Sequence, residues 1–213
     1  MSFHLPSFIA IVLSYLLGSL SFAVIVSRSL GMADPRSYGS GNPGATNVLR
    51  SGNKGAALAT LVLDALKSWL PVFLIRWLGP DYGMGLGTAA LAGLAAFLGH
   101  LYPVFFGFKG GKGVATAAGA LLGIDALLGL ATGATWVIVA FFFRYSSLAS
   151  IVSAFFAPAF YLIGGGVAWP LDLTVLLTLI AISLLLVWRH RENIRRLSAG
   201  TESRLGAKTK KKE

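Results

Sequence analysis

Residues 113–143, GVATAAGALLGIDALLGLATGATWVIVAFFF, decide the topology of this chain. This stretch is long for one helical crossing of a bilayer and short for two, because one crossing needs about 20 apolar residues. Its single charged residue, Asp125, follows Gly123 and Ile124, where a helix can break. The pattern favours two crossings that are joined near residues 123–125.

The composition of the whole chain indicates an integral membrane protein. Hydrophobic residues make up 55% of the 213 residues and charged residues only 12%, whereas an average soluble domain carries about 25% charged residues. These values exclude a disordered chain and an ordinary soluble domain. The chain contains no cysteine, so disulfides and cysteine metal sites are excluded as well.

Five other apolar runs predict the remaining membrane helices. They cover about residues 8–27, 55–78, 83–106, 147–162 and 171–188. The first run lacks a basic segment before it and a clean cleavage site after it, so we interpret it as a retained helix rather than a signal peptide.

The basic residues orient these helices. With two crossings in residues 113–143, every Lys and Arg falls on one side except Lys67, within a helix, and Arg76, near the opposite face. The positive-inside rule makes that side cytoplasmic. We therefore predict an all-α membrane protein of seven transmembrane helices, with the N-terminus outside, the C-terminus cytoplasmic and short fourth and fifth helices. Residues 1–206 form one predicted domain, and residues 207–213 a basic, disordered tail.

A first polar segment, GSGNPGATNVLR, occupies residues 39–50. Its glycines allow backbone N–H groups to approach an anion, and Arg50 can clamp a phosphate with two hydrogen bonds. The candidate ligand-binding residues are Gly39, Ser40, Gly41, Asn42, Thr46, Asn47 and Arg50. The alternative is a flexible hinge. The glycines also spell G-x-G-x-x-G, but no strand precedes them, so we reject a dinucleotide site.

A second segment, GHLYPVFFGFKGGKGVAT, covers residues 99–116. A glycine-rich turn that leads into a helix directs free N–H groups and the positive end of the helix dipole toward an anion. It is not a Walker A loop, because Phe106 and Gly113 occupy the wrong positions. The candidates are His100, Lys109, Gly110, Gly111, Lys112, Gly113 and Thr116. The alternative is a basic anchor at the membrane surface.

A third segment follows the last apolar run. His190 and Asn193 are three residues apart, so they share a face if the last helix continues into the cytoplasm. Arg195 and Arg196 resemble a stripe that binds anionic lipid. Two smaller features remain open. Asp64 and Lys67 are either functional ions or a mutually neutralising structural pair, and Ser146 and Ser147 either donate to a phosphate or cap a helix.

Three anion-binding segments on one membrane face suggest phosphate chemistry on a lipid. The sequence has no carboxylate cluster for a metal, no cofactor motif and no basic domain for nucleic acid. The fifth residues after His4, His100 and His190 are Ile9, Phe105 and Arg195. No His-x-x-x-x-Asp dyad is therefore present, which excludes the acyltransferases that depend on one.

These segments resemble the bacterial acyl-phosphate-dependent glycerol-3-phosphate acyltransferases, over about residues 11–202. The resemblance implies that the sn-1 hydroxyl of glycerol 3-phosphate attacks an acyl phosphate at the inner membrane, giving lysophosphatidic acid and phosphate. It implies essential roles for Ser40 and Arg50, and a glycerol 3-phosphate site at residues 110–113. It also implies that His190 and Asn193 are active polar residues and that Glu202 supports the structure.

Two other functions remain open from the residues alone. A transporter or channel for a phosphorylated anion fits seven helices and a basic mouth, although its polar groups would lie near the bilayer midplane. A lipid-binding scaffold fits the basic tail but leaves the first two segments unexplained. For the enzyme, we expect direct transfer, with His190 or the substrate phosphate accepting the proton.

Overall fold

The computed structural model describes residues 4–206, which fold into ten α-helices. The predicted basic tail, residues 207–213, lies outside the described residues. In chain order the helices are α1 (Leu5–Gly18), α2 (Phe22–Ser29), α3 (Ala45–Leu49), α4 (Lys54–Leu78), α5 (Leu86–Leu101), α6 (Val114–Ile124), α7 (Ala126–Phe143), α8 (Ser146–Ile163), α9 (Leu173–Arg189) and α10 (Arg191–Ser198).

Within residues 4–206, four helical stretches are long and apolar enough to cross a bilayer, and two more crossings arise if each bent helix pair counts as one. These pairs are α1 with α2, bent by 45°, and α9 with α10, bent by 57°. The fold is thus that of an all-helical, multi-pass membrane protein.

The predicted break after residue 123 is present. Helix α6 ends at Ile124, and the Asp125 carboxylate caps α7 by accepting a hydrogen bond from the Leu128 N–H at 3.0 Å. Helix α6 has 11 residues and is therefore about 16 Å long, as expected for a short fourth helix. The prediction of a short fifth helix is wrong. The cap at Asp125 leaves 18 residues for α7, enough for a full crossing.

The first apolar run is bent rather than a single straight helix. Residues 19–21 separate α1 from α2, and a break of this kind leaves backbone carbonyls without helical partners. The Lys67 ammonium satisfies one of them by donating to the Leu20 carbonyl at 2.7 Å. A cation buried in α4 thereby stabilises the bend in the first crossing.

Small residues let the helices approach closely around α5. A Cβ atom on Gly119 of α6 would lie 2.0 Å from the Ala65 carbonyl oxygen of α4. A Cβ on Gly18 of α1 would lie 2.1 Å from the Ala96 carbonyl oxygen of α5. Without an apolar driving force between helices in lipid, such close packing is a main source of association. Close approach at these glycines therefore holds α1 against α5 and α4 against α6.

Candidate active site

The described loops at one end of the bundle meet around the carboxylate of Glu202. One oxygen of Glu202 accepts hydrogen bonds from the Ser147 hydroxyl at 2.7 Å and the Asn193 side-chain amide at 2.6 Å. The other accepts from Arg196 Nε at 2.7 Å. Burial raises the pKa of Glu202, but these hydrogen bonds outweigh burial and hold the pKa below its usual value. A charged Glu202 therefore ties α8, α10 and the segment after α10 together.

Asn193 connects this carboxylate to the glycine-rich loop. Its side-chain oxygen accepts a hydrogen bond from the Lys112 ammonium, while its amide nitrogen donates to Glu202. Burial lowers the pKa of Lys112 to about 8, with Glu202 opposing the shift and Arg196 adding to it. Lys112 is thus a partly desolvated cation at the mouth of the site, held in place by Asn193.

His190 lies at the junction of α9 and α10 and is 2% exposed. The predicted uninterrupted helix is wrong, because the chain turns by 57° there. His190 Nδ1 lies 2.8 Å from the Leu186 carbonyl oxygen. A carbonyl only accepts, so Nδ1 carries the proton and Nε2 keeps its lone pair. Burial, more than neighbouring positive charge, lowers the pKa of His190 to about 4, so the ring is neutral at pH 7.

The glycine-rich loop is shaped by backbone contacts on both sides. The Gly111 N–H donates to the His100 carbonyl at 3.1 Å. On the other side, the Arg189 guanidinium binds the carbonyl oxygens of Gly110 and Gly111 at 2.7–3.1 Å. Gly113 has a φ of +82°, which favours glycine, and α6 begins at the next residue. The loop thus ends at the unpaired N–H groups of a helix N-terminus.

The first polar segment places an exposed arginine beside the segment that carries Glu202. Arg50 directly follows helix α3, and its guanidinium donates to the Ser203 hydroxyl at 2.7 Å. The hydroxyl oxygens of Thr46 and Ser146 lie 3.4 Å apart. Ser40, between the first two glycines of this segment, is exposed. Arg50 and Ser40 therefore remain available to a ligand.

Three of the predicted substrate-binding residues make side-chain contacts within the protein. Asn47 is buried, and it binds the Ser40 N–H and the carbonyls of Pro35 and Tyr38. The Ser147 hydroxyl donates to Glu202, so it neither caps α8 nor remains free for a phosphate. His100 is 7% exposed and faces the bundle. The hydrogen-bonding capacity of Asn47 and Ser147 is already used by protein atoms.

His100 belongs to a buried ionic cluster. The Lys67 ammonium lies 2.8 Å from the Asp64 carboxylate and 3.0 Å from His100 Nδ1. Asp64 and Lys67 are both at most 3% exposed, and a buried charge of this kind needs a partner. The geometry is that of the mutually neutralising structural pair that the spacing allowed.

The remaining predicted residues vary in their surroundings. Lys109, Gly39 and Gly41 are exposed, and Asn42 is half-buried. Thr116 is fully buried on α6, and its hydroxyl has no hydrogen-bond partner within residues 4–206. No cluster of His, Asp or Glu that would hold a metal ion occurs in the described part of the chain.

A family model for glycerol-3-phosphate acyltransferase matches residues 8–200. The chain belongs to the glycerol-3-phosphate acyltransferase family. It is similar to curated members from Albidiferax ferrireducens, with 66% identity over 94% of this chain and 90% of the relative, and from Bordetella petrii, with 64% identity over 94% and 93%.

Solved structures of a family member have the same fold. Crystal structures of PlsY, an integral membrane glycerol 3-phosphate acyltransferase, match with TM-scores of 0.85 for the glycerol 3-phosphate form and 0.83 for the lysophosphatidic acid form. Both are 38% identical and cover 94% of this chain and 96% of the PlsY chain. Membership of this family makes the chain an acyltransferase of phospholipid biosynthesis, in preference to a transporter or a scaffold.

The sequence analysis missed two residues at this site. Arg189 binds two carbonyls of the glycine-rich loop, and Ser203 binds Arg50. Arg189 directly precedes His190, but in the sequence it is one of several basic residues at a membrane boundary. Ser203 follows Glu202 in a short polar segment. Spacing cannot show either contact, because each joins elements that are far apart along the chain.

Proposed function

We propose that this chain transfers a fatty acyl group from an acyl phosphate to the sn-1 hydroxyl of glycerol 3-phosphate, on the cytoplasmic face of the inner membrane. The products are lysophosphatidic acid and inorganic phosphate. The observation that carries this proposal is the network in which Glu202 fixes Asn193, and Asn193 fixes Lys112, next to the glycine-rich loop.

Both proposed substrates carry a phosphate, so the site has to offset their mutual repulsion. Lys112 and the N–H groups at the start of α6 offer one anion site, and Arg50 offers a second cation. The glycerol 3-phosphate form of the PlsY structure supports the assignment of glycerol 3-phosphate as a substrate. We assign the loop at residues 110–113 to its phosphate, and Arg50 to the phosphate of the donor.

The transfer itself needs no acyl-enzyme. The sn-1 oxygen attacks the acyl carbon, the bond from that carbon to the phosphate oxygen breaks, and the leaving phosphate takes the hydroxyl proton. Cations around the leaving group stabilise the developing charge. Ser40 positions the donor and does not carry the acyl group.

We assign His190 and Asn193 to positioning. His190 Nε2 can accept a hydrogen bond from the attacking hydroxyl, since Nδ1 is held by the Leu186 carbonyl. A general base works best with a pKa near the operating pH, and the pKa of His190 is about 4. The phosphate of the donor is the better proton acceptor, because its oxygens gain negative charge as the bond to the acyl carbon breaks.

We propose seven crossings, with the N-terminus outside and the C-terminus cytoplasmic. Six come from the long helices and the bent pairs, and the short helix α6 is the seventh. A helix as short as α6 can end inside the bilayer only where protein surrounds its ends. The close approach of Gly113 to Phe97 at one end and of Gly123 to Val72 at the other supports this arrangement. One domain, residues 1–206, then carries the whole reaction.

The proposal is tested with purified protein in detergent. Glycerol 3-phosphate is supplied with palmitoyl phosphate in one arm and with palmitoyl-CoA in the other, and lysophosphatidic acid and released phosphate are measured. We expect turnover only with palmitoyl phosphate, with equal amounts of both products. Comparable turnover with palmitoyl-CoA, or phosphate release without lysophosphatidic acid, would exclude the proposed reaction.

A further inference from the structure

Arg189 is the residue that most directly contacts the glycine-rich loop from another helix. It ends α9, and its guanidinium donates three hydrogen bonds to two consecutive carbonyl oxygens. Nε and one terminal nitrogen bind Gly111 at 3.1 and 2.8 Å, and the same terminal nitrogen binds Gly110 at 2.7 Å. The planar guanidinium suits such a paired contact, whereas a lysine ammonium does not fix two carbonyls in one plane.

These contacts set the direction of two peptide units. In a trans peptide the C=O and the following N–H point in opposite directions. With the Gly110 carbonyl turned to Arg189, the Gly111 N–H points away from it, and it donates to His100. With the Gly111 carbonyl turned to Arg189, the Lys112 N–H also points away, and it has no hydrogen-bond partner within residues 4–206.

The same arrangement removes carbonyl oxygens from the anion-binding side of the loop. A flip of the peptide between Gly111 and Lys112 changes ψ of Gly111, and glycine, which has no Cβ, tolerates a wide range of backbone angles. Such a flip would turn the Gly111 carbonyl toward the side to which the Lys112 N–H now points, and a carbonyl repels an anion. Arg189 opposes such a flip, since the flipped peptide would lose its contact with the guanidinium.

We propose that Arg189 is a positioning residue that holds the peptides of Gly110 and Gly111 so that the Lys112 N–H and ammonium face the phosphate of glycerol 3-phosphate. This inference rests on the proposed function and adds to it a residue that does not itself touch the substrate. In this proposal Arg189 affects the binding of glycerol 3-phosphate rather than the transfer step. The loop contacts the phosphate of this substrate, which is remote from the reacting hydroxyl.

Arg191 provides a matched control. It is two residues away, carries the same charge, and stacks over the Trp188 ring at 4.8 Å. Within residues 4–206 its only side-chain hydrogen bond is to the Trp188 carbonyl, at 3.5 Å. Arg189→Gln and Arg191→Gln therefore remove equal charge near the site, but only the first releases the loop.

The test compares Arg189→Lys, Arg189→Gln and Arg191→Gln with the parent enzyme. For each, kcat and KM for glycerol 3-phosphate are measured with palmitoyl phosphate, and thermal unfolding is measured with and without glycerol 3-phosphate. We expect KM to rise about tenfold in Arg189→Gln and about fivefold in Arg189→Lys, with kcat within about threefold of the parent, as for loss of ground-state binding. Arg191→Gln should stay within about twofold, and glycerol 3-phosphate should stabilise the Arg189 variants less than the parent.

Two outcomes would overturn the inference. A parental KM in Arg189→Lys would mean that charge alone matters, and equal effects of Arg189→Gln and Arg191→Gln would mean a bulk electrostatic role. If Arg189→Gln fails to fold, Arg189→Lys decides, since it keeps the charge and most of the volume. A parent enzyme that does not turn over palmitoyl phosphate would count against the proposed function instead, and stabilisation by glycerol 3-phosphate would still report on Arg189.

Discussion

The charge of Lys112 should set the alkaline limit of the reaction. Burial lowers the pKa of this lysine to about 8, so in the free enzyme the ammonium is charged below that pH and neutral above it. Because phosphate binding needs the cation, the affinity for glycerol 3-phosphate is retained below pH 8 and is lost as the pH rises through 8. An ordinary lysine has a pKa near 10.4, so with such a lysine the affinity for phosphate would stay constant as the pH rises through 8.

The size of the effect follows from the protonated fraction. With a pKa of about 8, about nine-tenths of the enzyme carries the Lys112 cation at pH 7 and about one-tenth at pH 9. We therefore expect kcat/KM for glycerol 3-phosphate to fall about tenfold between these values. The substrate does not contribute to this limb, because its phosphate, with a second pKa of about 6, is already doubly charged throughout.

The assay measures kcat/KM from pH 6.5 to 9.5, because this ratio reports the groups of the free enzyme. Lys112→Arg should move the falling limb upward by more than one pH unit, since a guanidinium stays charged. Lys109→Arg, in the same loop but exposed, is the control and should leave the profile unchanged. An alkaline limb near pH 8 that persists in Lys112→Arg would refute the assignment of this limb to Lys112.

Three further predictions concern the catalytic residues and the topology. His190→Gln should retain measurable activity and keep the parental profile between pH 5 and 7, because the pKa of His190 is about 4; a loss of more than about a thousandfold in kcat at unchanged KM would make His190 the base. Arg50→Ala should lower kcat/KM at least about tenfold through one lost charge-assisted contact, whereas deletion of residues 207–213 should change it little, and equal losses would indicate a bulk-charge role. In this cysteine-free chain, Gly166→Cys should react with an impermeant thiol reagent from outside and Leu30→Cys should not; the reverse labelling would exclude the seven-crossing topology.

The sequence predicted the elements whose signal is local. Apolar runs located the long helices, because a lipid-facing helix has to be apolar along its whole length. The break at residues 123–125 was also readable, because the Asp125 cap acts within one turn of α7. The fifth helix was predicted too short because residues 113–143 are short for two crossings, and composition does not show that the fourth helix, with 11 residues, takes the whole deficit while the fifth keeps 18.

The chemistry of the three segments was likewise local. Clustered glycines, hydroxyls and basic residues predicted anion binding at residues 39–50 and 99–116, and the motifs indicated the family, which the comparisons confirm. Spacing predicted that Asp64 and Lys67 could pair within one helix, and they lie 2.8 Å apart.

Tertiary structure decided which polar groups remain for a ligand. Asn47 and Ser147 are donors by residue type, but their hydrogen bonds go to Pro35, Tyr38 and Glu202. The bend at His190 turns α10 so that Asn193 reaches Lys112.

Arg189 and Arg191 also show that residue type does not determine tertiary contacts. One binds the glycine-rich loop and the other stacks on Trp188. The sequence determined that this protein is a helical membrane enzyme with basic, glycine-rich loops, because those properties belong to single segments. Only the fold decided which side chain meets which loop, because such contacts depend on how segments far apart in the chain pack together.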